Sequence, residues 1–178
     1  MKPELQRMFE LVEKTRTAIL VTHREDGHLV ARPMALQAED PGADLWFVTS
    51  EGTGKLEEID RDPHVNVTFF RKKSEWVSIA GLAQVSRDRD RIRRLYRKDW
   101  RIFFSKEGDP RHGTPDDPRM VLLGVDVVSA VYAEQEHSTP VVLYEMAKGY
   151  LTGERPDIGE PHHVSGEKDE TRAARPGM

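Results

Sequence analysis

The stretch LWFVTSEGTGKLEEIDRDPHVNVTFF, Leu45–Phe70, carries the pattern on which the fold turns. Leu45–Ser50 is an apolar run of strand length, Gly52 and Gly54 punctuate a turn, and a short helical run follows until Pro63 stops it. His64–Phe70 then alternates apolar and polar residues at the period of a half-buried strand. Working outward, Thr17–His23 and His28–Leu36 are two strand-like runs around a turn ending in Gly27, a hairpin pattern. Glu75–Ser86 is a long strand with Gly81 as a bulge or bend. Arg119–Glu134 returns to strand, as two segments or one bent at Gly124. Helical spacing marks an opening helix with Leu5, Met8, Phe9 and Val12 on one face. It also marks a run after Ser86 with Ile92, Leu95, Tyr96 and Phe103, and a last helix with Leu143, Met146, Ala147 and Tyr150 turned inward. About six strands with short helices and no regular βαβ alternation predict a mainly β fold, a closed antiparallel barrel rather than a doubly wound sheet.

Residues 1–152 contain this pattern and form the expected domain. Residues 153–178 are rich in Pro, Gly and charge without periodicity, and read as a polar tail with too little apolar surface to offset the entropy of ordering. The 178 residues suit one domain with a tail. A content of 37% hydrophobic and 33% charged residues describes a water-exposed surface, and no apolar run approaches the roughly 20 residues that span a bilayer. The opening MKPELQRMFELVEK lacks the apolar core of a signal peptide. Cysteine is absent, which excludes disulfides, thiolate metal sites and Cys nucleophiles and fits a cytoplasmic address.

The net charge of −4 argues against a dedicated nucleic-acid binder. The basic run from Arg87 to Arg101 is interleaved with Asp88, Asp90 and Asp99 and reads as a solvated helix face. Seven histidines are present, but none pair at ligand spacing beside a third donor. No Gly-x-Ser-x-Gly elbow is present.

An anion site survives this elimination. A strand, a Gly-rich turn and a helix start direct backbone N–H groups and the positive end of a helix dipole to one point, and Lys55 adds a full charge. The familiar nucleotide loops do not match. Thr49 stands where a P-loop needs its first Gly, Leu56 follows the Lys where Ser or Thr should be, and Glu57 replaces the last Gly of a Rossmann fingerprint. A second element points the same way. Pro33 in ARPM, Ala31–Met34, cannot donate to a ladder and belongs at an edge or beside a ligand. Arg32 there can offer its planar guanidinium to a phosphate held by the turn.

The ordered combination of an N-terminal helix, a hairpin, ARPM, LWFVTS-x-x-T-G-K, DPHVNVTF, WVSIAG and a further helix resembles the general stress protein 26 group. That group belongs to the pyridoxamine 5′-phosphate oxidase-like split-barrel flavoproteins, and the resemblance covers roughly residues 5–150. It implies a six-stranded antiparallel split β-barrel homodimer with FMN at the dimer interface. FAD, a deazaflavin or haem are the alternatives within such folds. Arg32 matches the family's phosphate-binding arginine, with Pro33 and Met34 running along the flavin. Val48 and Thr49 match the pair whose main chain faces the ring and whose hydroxyl anchors the cofactor. Thr53, Gly54 and Lys55 match the turn that contacts phosphate. Trp76 falls where the oxidases carry a polar flavin contact, and Trp100 resembles an aromatic placed near the ring.

Two positions depart from the oxidases: Gln37 stands where they carry a second basic residue, and Gly54 where they carry Arg. Their C-terminal basic and histidine signature has no counterpart either. The resemblance therefore implies the cofactor site rather than oxidation of pyridoxamine phosphate. The expected function is a flavin-dependent oxidoreductase of stress-protein type acting on a small-molecule redox partner or NAD(P)H. The alternative is a flavin-holding protein without turnover. No catalytic residue and no metal ligand is assigned.

Overall fold

The structure, a computed structural model, describes residues 2–71, 75–104, 108–134, 139–157 and 160–166. Helix α1 (Pro3–Thr15) precedes the strands β1 (Thr17–His23), β2 (Leu29–Ala35) and β3 (Leu45–Ser50). Then come α2 (Gly54–Arg61), β4 (His64–Phe70), β5 (Trp76–Ser86), α3 (Arg89–Leu95) and a 3-10 helix (Lys98–Phe103). The chain closes with β6 (Met120–Ala133), α4 (Thr139–Thr152) and β7 (His162–Ser165). All ladders are antiparallel, in the order β2-β1-β4-β5-β6-β3. The two ends of that order meet at one bridge, Leu36 to Phe47, reinforced by Gln37 N–H donating to the Trp46 carbonyl at 2.8 Å. The sheet is thus wrapped into a barrel that is only stitched between β2 and β3. Pro33 lies in β2, at the end of the strand order, where its missing N–H breaks no ladder on the outer side.

Inward residues of every strand meet α1 in one core that includes Met8, Leu20, Phe47, Val67, Ile79 and Leu123. A second cluster lies on the other side of β3 and β6, where Trp46, Met120 and Leu122 pack with Ile92, Leu95, Trp100 and Phe104. β3 and the first half of β6 are covered on both faces, which is why they read as continuous apolar runs rather than alternating ones. Gly81 sits at the break in the β5–β6 register, as expected: a Cβ there would lie 2.6 Å from Val125 Cγ1 and 2.8 Å from the Asp126 carbonyl. β6 is one strand, and its irregularity falls opposite Gly81 at Val128, not at Gly124.

Three expectations are corrected. The stripe after Ser86 breaks at Tyr96 and resumes as a 3-10 helix, whose three residues per turn shift the phase. Phe103 is therefore exposed, while Trp100 and Phe104 turn inward. The last helix forms, but Leu143, Met146 and Tyr150 are exposed, because no other described element covers that face. The tail is not structureless throughout. His162–Ser165 adds a seventh strand beside the second half of β6, with Val164 buried and the His162 ring stacked on Tyr132 at 5.0 Å. Gly166 closes it, donating to the Val128 carbonyl at 2.8 Å.

Candidate phosphate-binding site

The seam between β2 and β3 brings the candidate residues together. The left-handed Gly52, at φ +71°, reverses the chain after β3, and Thr53 Oγ1 donates to the Ser50 carbonyl at 2.8 Å. This sets Thr53 before α2, which starts at Gly54. Lys55, in the first turn of α2, is half-buried, and its Nζ donates to Thr49 Oγ1 at 2.8 Å. It makes no other bond to a described residue, so donors of its ammonium group remain for a ligand. Thr49 and Thr53 hydroxyls stand 3.4 Å apart beside it.

Arg32 approaches from β2. Its Nη1 donates to Thr22 Oγ1 at 2.6 Å and its Nη2 lies 2.9 Å from Glu58 Oε2. Thr22, fully buried in β1, donates to Glu58 Oε2 at 2.5 Å. Glu58 is buried at 8% exposure and stands three residues after Lys55, on the same side of α2. Burial alone would raise its carboxyl, yet the bonds from Thr22 and Arg32 hold it below the usual carboxylate range. Burial and the nearby Arg32 charge hold the Lys55 ammonium below its ordinary value, only partly opposed by Glu58. Two cations and one carboxylate leave the site positive, with hydroxyls and a helix start around it: a receptor for an anion with several acceptor oxygens.

Of the residues singled out in the sequence, Arg32, Thr49, Thr53, Gly54 and Lys55 converge here. Pro33 is exposed on the outward face of β2, and Met34 is buried in the core. Val48 packs against the second cluster. Trp76 is half-buried at the start of β5, across from Phe70 and Ala133. Trp100 is buried in the second cluster, and its Nε1 donates to Gln37 Oε1 at 2.9 Å. Within one chain neither tryptophan has a hydrogen bond to the loop among the described residues. Sequence reasoning missed Thr22 and Glu58. A threonine at an inward position of a strand otherwise filled by Ala18 and Leu20 is the signal that could have found the first. An open cleft of about 470 Å³ continues from this point, lined by Arg24, Glu25, Asp26, Gly54, Glu57, Glu58 and Arg61.

Comparison with known proteins places the fold. The profile of a family described as "Pyridoxamine 5'-phosphate oxidase like" matches residues 3–157. Protein bli-3 of Neurospora crassa is 33% identical over 142 residues, which is 78% of this chain and 68% of that protein. The crystal structure of a putative general stress protein 26 from Jannaschia sp. CCS1 aligns with a TM-score of 0.66 at 27% identity, covering 92% of this chain and 99% of that one. A pyridoxamine 5′-phosphate oxidase-related, FMN-binding protein from Nostoc punctiforme shares the fold, with a TM-score of 0.60 at 17% identity over 75% of this chain and 86% of that one.

Proposed function

This chain belongs to the pyridoxamine 5′-phosphate oxidase-like family, and from that premise we propose that it binds FMN and works as a flavin-dependent oxidoreductase. The observation that carries the reading is Lys55: a half-buried ammonium that faces Arg32 and has no carboxylate partner among the described residues. Positive charge that Glu58 offsets only in part is costly without a ligand, and a phosphate monoester supplies both the charge and the acceptor oxygens. Thr49, Thr53 and Lys55 would hold its phosphate, Arg32 would join them from β2, and the backbone at Val48 and Pro33 would run beside the ring. Bound flavin supplies hydride chemistry at N5, and the chain supplies orientation and electrostatics. Glu58 is tied to Thr22 and Arg32, so it is not a free base.

The working unit is a homodimer. The outward face of β2, the middle of β1 (Ile19 and Val21) and Phe70 at the end of β4 carry apolar side chains where an antiparallel sheet facing water would be polar, while the rest of that face of β4 is His64, Asn66 and Thr68. Ile19, Leu29 and Phe70 are 41%, 63% and 69% exposed there, beside exposed Ala31, Pro33 and Ala35. A second subunit on this face would cover that surface. No helix among the described residues is long and apolar enough to cross a membrane, and the cysteine-free composition supports a cytoplasmic setting for the reaction.

The visible absorbance spectrum of the purified protein tests the cofactor first. A flavin spectrum that NADH or NADPH bleaches supports the whole reading. A flavin spectrum that neither reductant changes leaves a flavin-holding protein, and a deazaflavin or haem spectrum overturns FMN.

A further inference from the structure

The arginine that faces the proposed phosphate is already engaged. Arg32 meets Thr22 through Nη1 and Glu58 through Nη2, so both ends of its fork are held by this chain. Glu58 in turn is held by Thr22 and is nearly closed to solvent. Lys55 stands outside this ring of bonds, anchored only to the Thr49 hydroxyl among the described residues. The two cations therefore differ. One awaits an acceptor, and the other has a carboxylate that any incoming phosphate must share or displace.

We infer that Glu58 is a specificity-determining residue of the phosphate site, an internal carboxylate that aims Arg32 and, by competing for it, restrains affinity for a phosphate dianion. The inference rests on the reading of the Thr49–Lys55 turn as a phosphate site. Its logic is charge balance at short range. Arg32 and Lys55 against Glu58 leave one net positive charge, which a phosphate monoester carrying nearly two negative charges exceeds. A flavin without phosphate is indifferent to that balance. The pair also explains why a buried carboxylate is placed among groups that otherwise serve an anion. It keeps the guanidinium pointed at the seam while no ligand is bound, at a cost in affinity when one is.

A purely architectural Glu58, tying α2 to β1 and β2, predicts the opposite sign, because loosening the seam weakens every flavin alike. The test is Glu58→Gln, which keeps the size and hydrogen-bonding capacity and removes the charge. The full chain, freed of bound flavin, is titrated with FMN and with riboflavin by fluorescence quenching. FMN affinity should rise on the order of tenfold, with a steeper loss on adding salt, while riboflavin affinity stays unchanged. FMN affinity equal to or below that of the parent overturns the inference. If Glu58→Gln does not fold, Glu58→Asp withdraws the carboxylate by one methylene and should raise FMN affinity by a smaller factor, with the same overturning result. Arg32→Ala separates the two layers. Selective loss of FMN in that variant without a gain in the Glu58 variant sinks only the competing role of Glu58. An unchanged ratio of FMN to riboflavin in both Arg32→Ala and Lys55→Ala sinks the phosphate site and this inference with it.

Discussion

The chain has two basic regions, and they behave in opposite ways. From Arg87 to Arg97 every arginine bonds to a carboxylate or a carbonyl. Arg87 pairs with Glu51, and Arg93 with Asp90 and Asp116. Arg91 and Arg94 share Asp40, Arg97 meets Asp99, and Arg89 donates to the Asp117 and Met120 carbonyls. At the β2–β3 seam Arg32 and Lys55 stand together, and Lys55 bonds to a hydroxyl alone among the described residues. The crowded region is scaffold, and the sparse one is the site we propose. Density of charge along a sequence does not mark a ligand site; charge left without a counterion by the fold does.

The widest separation between the two regions should appear in flavin binding. Lys55→Ala removes a charge-assisted hydrogen bond worth roughly 1.5–3 kcal/mol, so FMN affinity should fall on the order of tenfold to a hundredfold. Riboflavin should lose little. Arg91→Ala, in the crowded region, should change neither. Isothermal titration of both ligands against both variants decides it, and equal weakening of FMN and riboflavin by Lys55→Ala would move that residue from phosphate to scaffold.

Stability should separate them in the reverse direction. Arg91 donates to Asp40 at 2.7 Å and to the Pro41 carbonyl at 2.8 Å, and stacks over Trp46 at 4.5 Å. Asp40 is almost fully buried, so Arg91→Ala leaves it with Arg94 alone. A loss of about 2–3 kcal/mol is expected in urea unfolding. Arg93→Ala, on a solvated pair, should not shift the midpoint measurably. A midpoint shift for Lys55→Ala as large as that for Arg91→Ala would erase the distinction between scaffold and site.

The same contrast explains what could be read from the sequence. Periodicity disclosed the barrel strands and α1, because those elements bury a face locally. It also disclosed a face on α4, but a stripe does not say what covers it. Met8 of α1 is fully buried, whereas Tyr150 of α4 is 91% exposed. β7 is four residues long and has no period to show; pairing with β6 and the burial of Val164 order it. Deleting residues 162–178 should therefore cost about 2 kcal/mol from Val164 alone and lower the melting temperature; an unchanged melting curve would restore the idea of a dispensable tail. In the proposed site, Arg32 and Lys55 were singled out by turn chemistry and by the proline beside Arg32. Glu58 was not, since a glutamate three residues after a lysine looks like an exposed helix pair until Thr22 is found beneath it. The bond of Trp100 was hidden for a related reason: an aromatic in a charged run gives no sign that Gln37 will take its indole N–H.

The smallest effect expected is a pH dependence, and it tests the difference between the two regions without mutation. Burial and Arg32 hold the free-state pKa of Lys55 below its ordinary value. A bound dianion favours the charged ammonium and raises it again. The bound protein therefore holds more protons than the free one between the two values. Affinity is complete below the free-state pKa and declines as pH rises through it, with a limiting slope of about tenfold per pH unit. A few-fold loss on the alkaline side is expected. The phosphate of FMN is already dianionic above neutral pH, since its second pKa lies near 6, and does not contribute. Riboflavin, measured alongside, subtracts any titration of the ring. An FMN-to-riboflavin affinity ratio that stays flat on the alkaline side would show that the Lys55 charge is not what holds the phosphate. The decline should vanish in Lys55→Arg, whose charge persists, and a decline that survived that change would have to arise elsewhere.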